Sequence, residues 1–192
     1  PGNCINCLID AYRLSNQRRY FVKAEELIQR CIHPADDIAA LTLDDPEFRW
    51  SYLVFLQILG KYLDYKAELE ETDYVFFYAR DSLLHYAQWM ATYEVPYKDV
   101  LHKVLIPTET WPAHDIRKCQ IMHVAAKYGP EQHQQSYTLK AADFFTSCLN
   151  DLLSFKTAFL TRPLVILCVY GFVHEYFNKI KRKQLYVTHC HD

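Results

Sequence analysis

Glycine is scarce in this chain, which has four glycines among 192 residues against about 7% in an average protein. Because tight turns between strands depend on glycine, this scarcity argues against a turn-rich β-sandwich. An excess of charge of one sign is also lacking, since 21 basic residues face 23 acidic ones. This balance gives no general electrostatic reason to expect a nucleic-acid partner.

Long apolar runs are missing as well. The longest spans residues 163–173, which is too short for the ~20 residues of a membrane-spanning helix. The first residues carry no secretory, transit or lipidation pattern, and the chain begins with Pro1 rather than Met, so we expect a piece of a longer protein. The sequence predicts a soluble, cytoplasmic protein with no membrane partner.

Motifs that hold metals or cofactors are not found either. The seven cysteines are scattered without a framework spacing, which indicates reduced thiols in helices of an intracellular protein. Cys4-x-x-Cys7 and the tail 189–192 (HCHD) contain ligand-type residues, but there is no second Cys-x-x-Cys and no His-Glu-x-x-His. With no glycine-rich phosphate loop and no nucleophile elbow, we predict no metal site and no cofactor.

Apolar residues at helical spacing are abundant, and the chain is 51% apolar, which is enough for a core. We predict an all-α fold of about seven helices. Their expected ranges are 5–14, 18–32, 45–69, 73–93, 110–128, 132–156 and 161–180. The helix over 45–69 is apolar on almost every side, so we expect neighbours all around it.

Three of these helices begin in the same way, with a capping oxygen followed by a proline in the first turn. The starts are Asp45-Pro46, Thr110-Trp111-Pro112 and Thr161-Arg162-Pro163, which lie 65 and 51 residues apart. This pattern predicts repeated helical hairpins that are longer than the ~34–47 residues of TPR or HEAT repeats. Together with the enclosed helix, it favours a closed ring of hairpins, an α/α toroid, over an open solenoid.

Residues 20–28 (YFVKAEELI) have the pattern of an outer toroid helix, and residues 107–118 (PTETWPAHDIRK) that of a loop leading into an inner one. In these segments the chain resembles the α/α-toroid superfamily of carbohydrate-active proteins: six-hairpin glycosidases, polysaccharide lyases and sugar epimerases. Six hairpins of this length need roughly 300 residues, so the chain resembles the C-terminal part of a toroid or a truncated relative. We expect one helical-hairpin domain over 1–180 and a flexible basic and His/Cys tail over 181–192.

The resemblance implies a substrate cleft where inner helices begin and long loops collect. Glycosidic cleavage needs two carboxyl groups about 5–9.5 Å apart, and Glu109 and Asp115 are the candidate catalytic pair. The candidate substrate-binding residues share this end of the fold: they are Trp111, His114, Arg117, Arg49 and Glu47. The structural interpretation stays open beside this one, because carboxylates also stabilise helix N-termini, Trp111 suits a core, and the arginines suit ion pairs.

Three functions are compatible with the sequence, and whether the chain is an enzyme stays open. The leading hypothesis is a glycan-processing domain of hydrolase, lyase or epimerase type, complete or not, with a glycan ligand. The alternative is a non-catalytic helical-repeat scaffold that associates with the rest of a larger chain, another protein or its own copy, which an exposed apolar flank would favour. A small-ligand-binding helical bundle is the third. Convergence of Glu109, Asp115 and Arg49 on one polar cavity would favour the glycan-processing domain. Pairing of these residues with local partners would favour the scaffold.

Overall fold

The computed structural model describes residues 2–179, and all regular secondary structure in that range is helical. This confirms the all-α prediction. The α-helices are α1 (Gly2–Ser15), α2 (Arg18–Cys31), α3 (Pro46–Arg49), α4 (Ser51–Glu68), α5 (Tyr74–Tyr93), α6 (Thr110–Ala113), α7 (Asp115–Tyr128), α8 (Glu131–Ser154), α9 (Thr161–Tyr170) and α10 (Phe172–Lys179). Two 3₁₀ helices, Ile38–Leu41 and Tyr97–Lys103, lie in the long loops. The predicted tail, 181–192, lies outside the described residues.

The three helices that begin with a proline-containing turn are each divided in two, where the sequence predicts continuous helices. Trp50 separates α3 from α4, His114 separates α6 from α7, and Gly171 separates α9 from α10. At His114 the backbone N–H bonds to the carbonyl of Trp111 at 2.9 Å, a three-residue step that tightens the turn. Asp45 caps α3 as predicted, because its carboxylate accepts the N–H of Phe48 at 3.3 Å. The predicted caps Thr110 and Thr161 are wrong: each is the first residue of its helix, and the residue before it makes no side-chain capping hydrogen bond.

The helices pack in two layers. Helices α1, α4 and α7 pack side by side in chain order, and α9 and α10 pack on α7. The second layer contains α2, α5 and α8, with α2 and α8 each against α5, and each covers the helix that precedes it in the first layer. Helix α7 is the most enclosed, since it is buried at nearly every position from Asp115 to Ala126. In the described part of the chain, no helix is both long and apolar enough to cross a bilayer.

Gly60 serves helix packing rather than a turn. No glycine in the described range has a positive φ, and the left-handed positions are Asn16, Thr42 and Glu70 instead. A Cβ on Gly60 of α4 would lie 3.0 Å from Cγ2 and 3.2 Å from Cγ1 of Val124 on α7. Because a β-branched side chain yields little in a helix, Gly60 sets the close approach of these two helices.

Lys66 of α4 has no solvent-exposed side-chain surface, yet three carboxylates surround its ammonium group. Its Nζ lies 3.1 Å from Glu25 of α2, 3.0 Å from Glu71 in the turn, and 2.6 Å from Asp73. Asp73 also caps α5 by accepting the N–H of Phe76 at 3.0 Å. Burial acts to lower the pKa of Lys66, but the three hydrogen bonds raise it overall, so this buried group stays charged. It joins α2, α4 and α5.

We expect Lys66→Met to lower the free energy of unfolding by about 1–3 kcal/mol at pH 7, because it leaves three neighbouring carboxylates, 13% to 49% exposed, without their shared cation. The loss should stay constant from pH 7 to about pH 5 and shrink as the pH falls below 4.5, the ordinary pKa of a glutamate. Hydrogen bonds from Arg18 and then Lys66 hold the pKa of Glu71 below its usual range, so the pairing contributes stability above the unfolded pKa and loses it on acidification. Urea unfolding at several pH values measures both effects.

The matched control is Lys23→Met, because Lys23 pairs with Glu26 on the exposed face of α2 at 2.6 Å. An exposed pair of this kind contributes little to stability, because solvent screens it. Equal losses in the two variants would contradict the bridging role of Lys66.

Candidate functional site

The three proline-marked helix starts are neighbours in the structure. Helices α3 and α6 both pack against the 3₁₀ helix Tyr97–Lys103, and α9 packs against α6. Aromatic rings fill the space between them. The ring centroid of His114 lies 4.9 Å from that of Trp50 and 5.9 Å from that of Trp111, and Trp111 lies 5.5 Å from Tyr97. The predicted residues Trp111, His114 and Asp115 therefore belong to one cluster at this end of the fold.

Asp115, one of the two candidate catalytic carboxyls, is completely buried. It accepts the backbone N–H of Tyr97 at 2.9 Å, and the Nζ of Lys118 lies 3.2 Å from its other oxygen. Lys118 is buried too, and its ammonium also pairs with Glu94 at 2.8 Å and donates to the carbonyl of Val95 at 2.6 Å. Burial raises the pKa of Asp115 to about 7, against the opposing effect of Lys118. This carboxyl has no solvent-exposed surface and is enclosed in an ion-pair network.

The remaining predicted residues have separate surroundings. Glu47 accepts the N–H of Leu105 at 2.9 Å, and Arg117 donates to Gln57 at 2.6 Å. Glu109 precedes α6 and is half-buried without making a capping hydrogen bond, while Arg49 is exposed on α3. Local partners thus engage Asp115, Arg117 and Glu47. The pairing of Glu109 and Asp115 in catalysis stays a prediction, and the burial of Asp115 favours its structural interpretation.

A shallow cleft that was not anticipated from the sequence opens beside this cluster, between α3, the end of α5 and Tyr97–Lys103. Its lining includes Trp89, Tyr93, Asp44 and Lys103. The rings of Trp89 and Tyr93 lie 5.8 Å apart, and the Nζ of Lys103 lies 3.6 Å from Asp44. The four-residue spacing of Trp89 and Tyr93 is the sequence feature that could have predicted this cleft, because it places both rings on one helix face. The cleft combines two neighbouring aromatic rings, tilted by 38°, with the charged residues Asp44, Glu94 and Lys103.

Three metal-ligand side chains meet at the contact of α7 with α10. Cys119 and His123 are one helical turn apart on α7, and His174 reaches them from α10. The Sγ of Cys119 lies 3.7 Å from Nδ1 of His174, and Nε2 of His123 lies 3.0 Å from the same nitrogen. Burial lowers the pKa of His123 to about 4 and lowers that of His174, so both rings are neutral at pH 7. The sequence predicts no metal site, because this trio matches neither Cys-x-x-Cys nor His-Glu-x-x-His.

The outer side of α9 and α10 is apolar and exposed. Leu164, Val165, Val169, Phe172 and Tyr176 are each at least half exposed, with exposed fractions from 50% to 64%. Gly171 keeps helical angles, φ −64 and ψ −32, so residues spaced by about four continue along one face across the break. Continuous exposed apolar strips of this kind are typical of contact surfaces.

No family model, no curated protein and no solved structure matches this chain. The resemblance of residues 20–28 and 107–118 to α/α toroids therefore remains a prediction from the sequence.

His114 provides a pH-dependent test of the aromatic cluster. Burial, and then the nearby charge of Arg117, lowers its pKa to about 3, and its Nδ1 is buried without a hydrogen-bond partner. Below pH 6.5 the unfolded chain therefore binds a proton that the folded chain does not, and stability falls with pH by up to about 1.4 kcal/mol per unit. We expect His114→Phe to reduce this acid sensitivity while preserving stability at pH 7.

Chemical denaturation between pH 4 and pH 7 measures the slope. Trp111→Phe is the matched control, since it alters the same cluster without removing a titratable group. The interpretation fails if His114→Phe retains the slope of the unmodified protein.

Proposed function

We propose that this chain is a non-catalytic helical scaffold of the α/α-toroid type that associates with a second copy of itself through α9 and α10. The layer α1–α4–α7–α9, covered by α2, α5 and α8, supports a partial toroid. The gathering of the three proline-marked starts at one end supports it further. The local pairing of Asp115 with Lys118 favours a scaffold over a glycan-processing enzyme.

The exposed apolar strip of α9–α10 is the observation that carries this proposal. Helix α9 contains a single charged residue, Arg162, at its start, and the strip then runs from Leu164 to Tyr176. Burial of apolar surface stabilises association by about 25 cal/mol for each Å² removed from water, before the entropic cost of association. In a continued toroid another helix pair would cover this face.

A second copy is the occupant that fits the strip. Between Leu164 and Tyr176 the only exposed charged side chain is Glu175, which already pairs with Lys179 of the same helix at 3.6 Å. The partner of the strip must therefore itself be apolar rather than of opposite charge. The opposite edge of the layer, α1, offers Leu14 as its one strongly exposed large apolar residue within the described range. Pairing of the strip with the same strip of a second chain covers both apolar faces and closes the assembly with two-fold symmetry.

We expect the protein to form a concentration-dependent dimer in light scattering coupled to size-exclusion chromatography and in sedimentation equilibrium. Val165→Glu and Phe172→Glu should each raise the dimer dissociation constant at least about tenfold, since a charge would be buried without a partner. Leu139→Glu is the matched control, because Leu139 is 63% exposed on α8, outside the strip.

Circular dichroism establishes that each variant keeps its helix content. A protein that stays monomeric throughout the micromolar range, or a dimer that Leu139→Glu disrupts as strongly as Phe172→Glu, would contradict association through α9–α10.

Glycan binding is the second candidate function, and the Trp89–Tyr93 cleft favours it. Tyr93 is 67% exposed, and its ring lies beside Trp89 at 5.8 Å. Aromatic faces stack on sugar rings, while the carboxylate of Asp44 and the ammonium of Lys103 are suited to sugar hydroxyl groups. This would be binding without catalysis, at a place different from the Glu109 and Asp115 pair.

We expect neutral, N-acetylated or uronic-acid oligosaccharides to bind with an affinity that Trp89→Ala weakens at least about tenfold, through loss of the stacked surface. Isothermal titration calorimetry on each of the three oligosaccharide classes is the measurement. The control is Tyr74→Ala at the other end of α5, where the ring is 71% exposed. Absence of binding in all three classes, or equal weakening by the two variants, would exclude the cleft as a glycan site.

A further inference from the structure

We propose that Cys119, His123 and His174 form a zinc-binding site that joins α7 to α10. The inference goes beyond the scaffold function, and it rests on three side chains that no part of that function uses. All three are buried, with exposed fractions of 1%, 2% and 8%. Their ligand atoms lie within 4.8 Å of one another.

The distances between ligand atoms are close to those around a tetrahedral zinc ion. Bonds of about 2.0–2.1 Å to nitrogen and 2.3 Å to sulfur separate two nitrogens by about 3.3 Å, and a sulfur from a nitrogen by about 3.6 Å. The observed separations are 3.0 Å between His123 and His174 and 3.7 Å between Cys119 and His174. The third pair, the Sγ of Cys119 and the ring of His123, lies within 4.8 Å. A shift of about 1 Å or less therefore brings all three atoms to the separations that zinc requires.

The helices and neighbouring rings hold the two imidazoles in place. The four-residue spacing of Cys119 and His123 directs both side chains to the same side of α7, where α10 packs. The ring of His123 stacks on Phe177 at 4.8 Å with an angle of 2°, and that of His174 stacks on Phe145 at 4.1 Å with an angle of 13°. Stacking limits ring rotation, so little ordering is left for the metal to impose.

The chemistry of the ligands selects the metal. Two imidazole nitrogens and one thiolate suit zinc and related transition metals, whereas magnesium and calcium require oxygen ligands. Three protein ligands leave a fourth coordination position for water. Binding converts the Cys119 thiol to a thiolate and releases its proton to solvent, with no change of oxidation state.

Without metal, the same atoms form a chain of hydrogen bonds. Asn178 places its side-chain amide 2.9 Å from Nε2 of His174, and Nδ1 of His174 lies 3.0 Å from His123. When Nδ1 binds zinc, the ring proton of His174 moves to Nε2, and Asn178 can accept it after its amide rotates. Asn178 is therefore a positioning residue for the site, and it is exposed, so its substitution spares the core.

Cobalt titration of the untagged full-length protein, freed of metal with a chelator, tests the proposal. Co²⁺ should produce thiolate-to-cobalt charge-transfer absorption in the near ultraviolet together with the intense visible bands of tetrahedral geometry. Zn²⁺ should displace it stoichiometrically and raise the melting temperature. Cys119→Ser should abolish the charge-transfer band, and His174→Asn should weaken binding at least tenfold.

Matched controls replace ligand-type residues outside the trio. Cys168→Ser on the exposed side of α9 and His133→Asn on α8 should leave the titration unchanged. The combined variant His189→Asn, Cys190→Ser and His191→Asn separates the proposed site from the terminal ligands. If the cobalt spectrum is lost in this variant and kept in Cys119→Ser, only the terminal ligands bind metal and the proposal is wrong.

Substitutions of Asn178 keep the test decisive if the buried variants fold poorly. Asn178→Leu should weaken zinc binding by about 10–100-fold, the usual effect of losing the group that orients a histidine ligand. Asn178→Asp, which can accept the Nε2 proton, should preserve or strengthen it. Equal affinity in the leucine and aspartate variants, or no zinc binding by the unmodified protein, would overturn the proposal.

Discussion

Two lysines without exposed surface, Lys66 and Lys118, hold the helix pairs of this protein in register. Removing an ammonium from water costs several kcal/mol, and surrounding carboxylates and hydrogen bonds offset that cost only when their geometry is right. Lys66 joins α4 to α2 and α5, and Lys118 joins α7 to the end of α5 through Glu94. Apolar packing alone allows one helix to slide along another. The ion pairs of Lys66 and Lys118 fix the axial position of each helix relative to its neighbour. The close approach of Gly60 to Val124 adds a steric constraint of the same kind between α4 and α7.

Much of the fold could be predicted, because helices depend on local patterns. The apolar spacing gave α2, α5 and α8 to within a few residues, and the Asp45-Pro46 pair gave the start of α3. The breaks at Trp50 and His114 could not be predicted. A tightened turn leaves the apolar pattern nearly unchanged on both sides of the break. Whether the helix breaks depends on ring contacts such as that of Trp50 with His114, which join distant parts of the chain.

The candidate site was harder to predict, because function depends on which faces of a helix remain open. Asp115 stands where a carboxylate could serve either a cleft or a helix start, and the sequence does not reveal that α7 is buried nearly all round. The Cys119 and His123 spacing is visible in the sequence, but His174 lies 51 residues beyond His123 and meets it only in the folded chain. The exposed strip of α9–α10 is equally hidden, since an apolar helix looks the same in sequence whether neighbours cover one side or both.

Helix α10 connects the two proposals through its opposite faces. It has eight residues, and a helix of that length has little stability by itself, so its position depends on contacts with the rest of the chain. On its inner face His174 packs between Phe145 and His123, and on its outer face Phe172 and Tyr176 are exposed. A metal ion at the inner face would fix the helix that displays part of the outer strip. Because linkage is reciprocal, a dimer that orders α10 would favour metal binding to the same extent as metal favours the dimer.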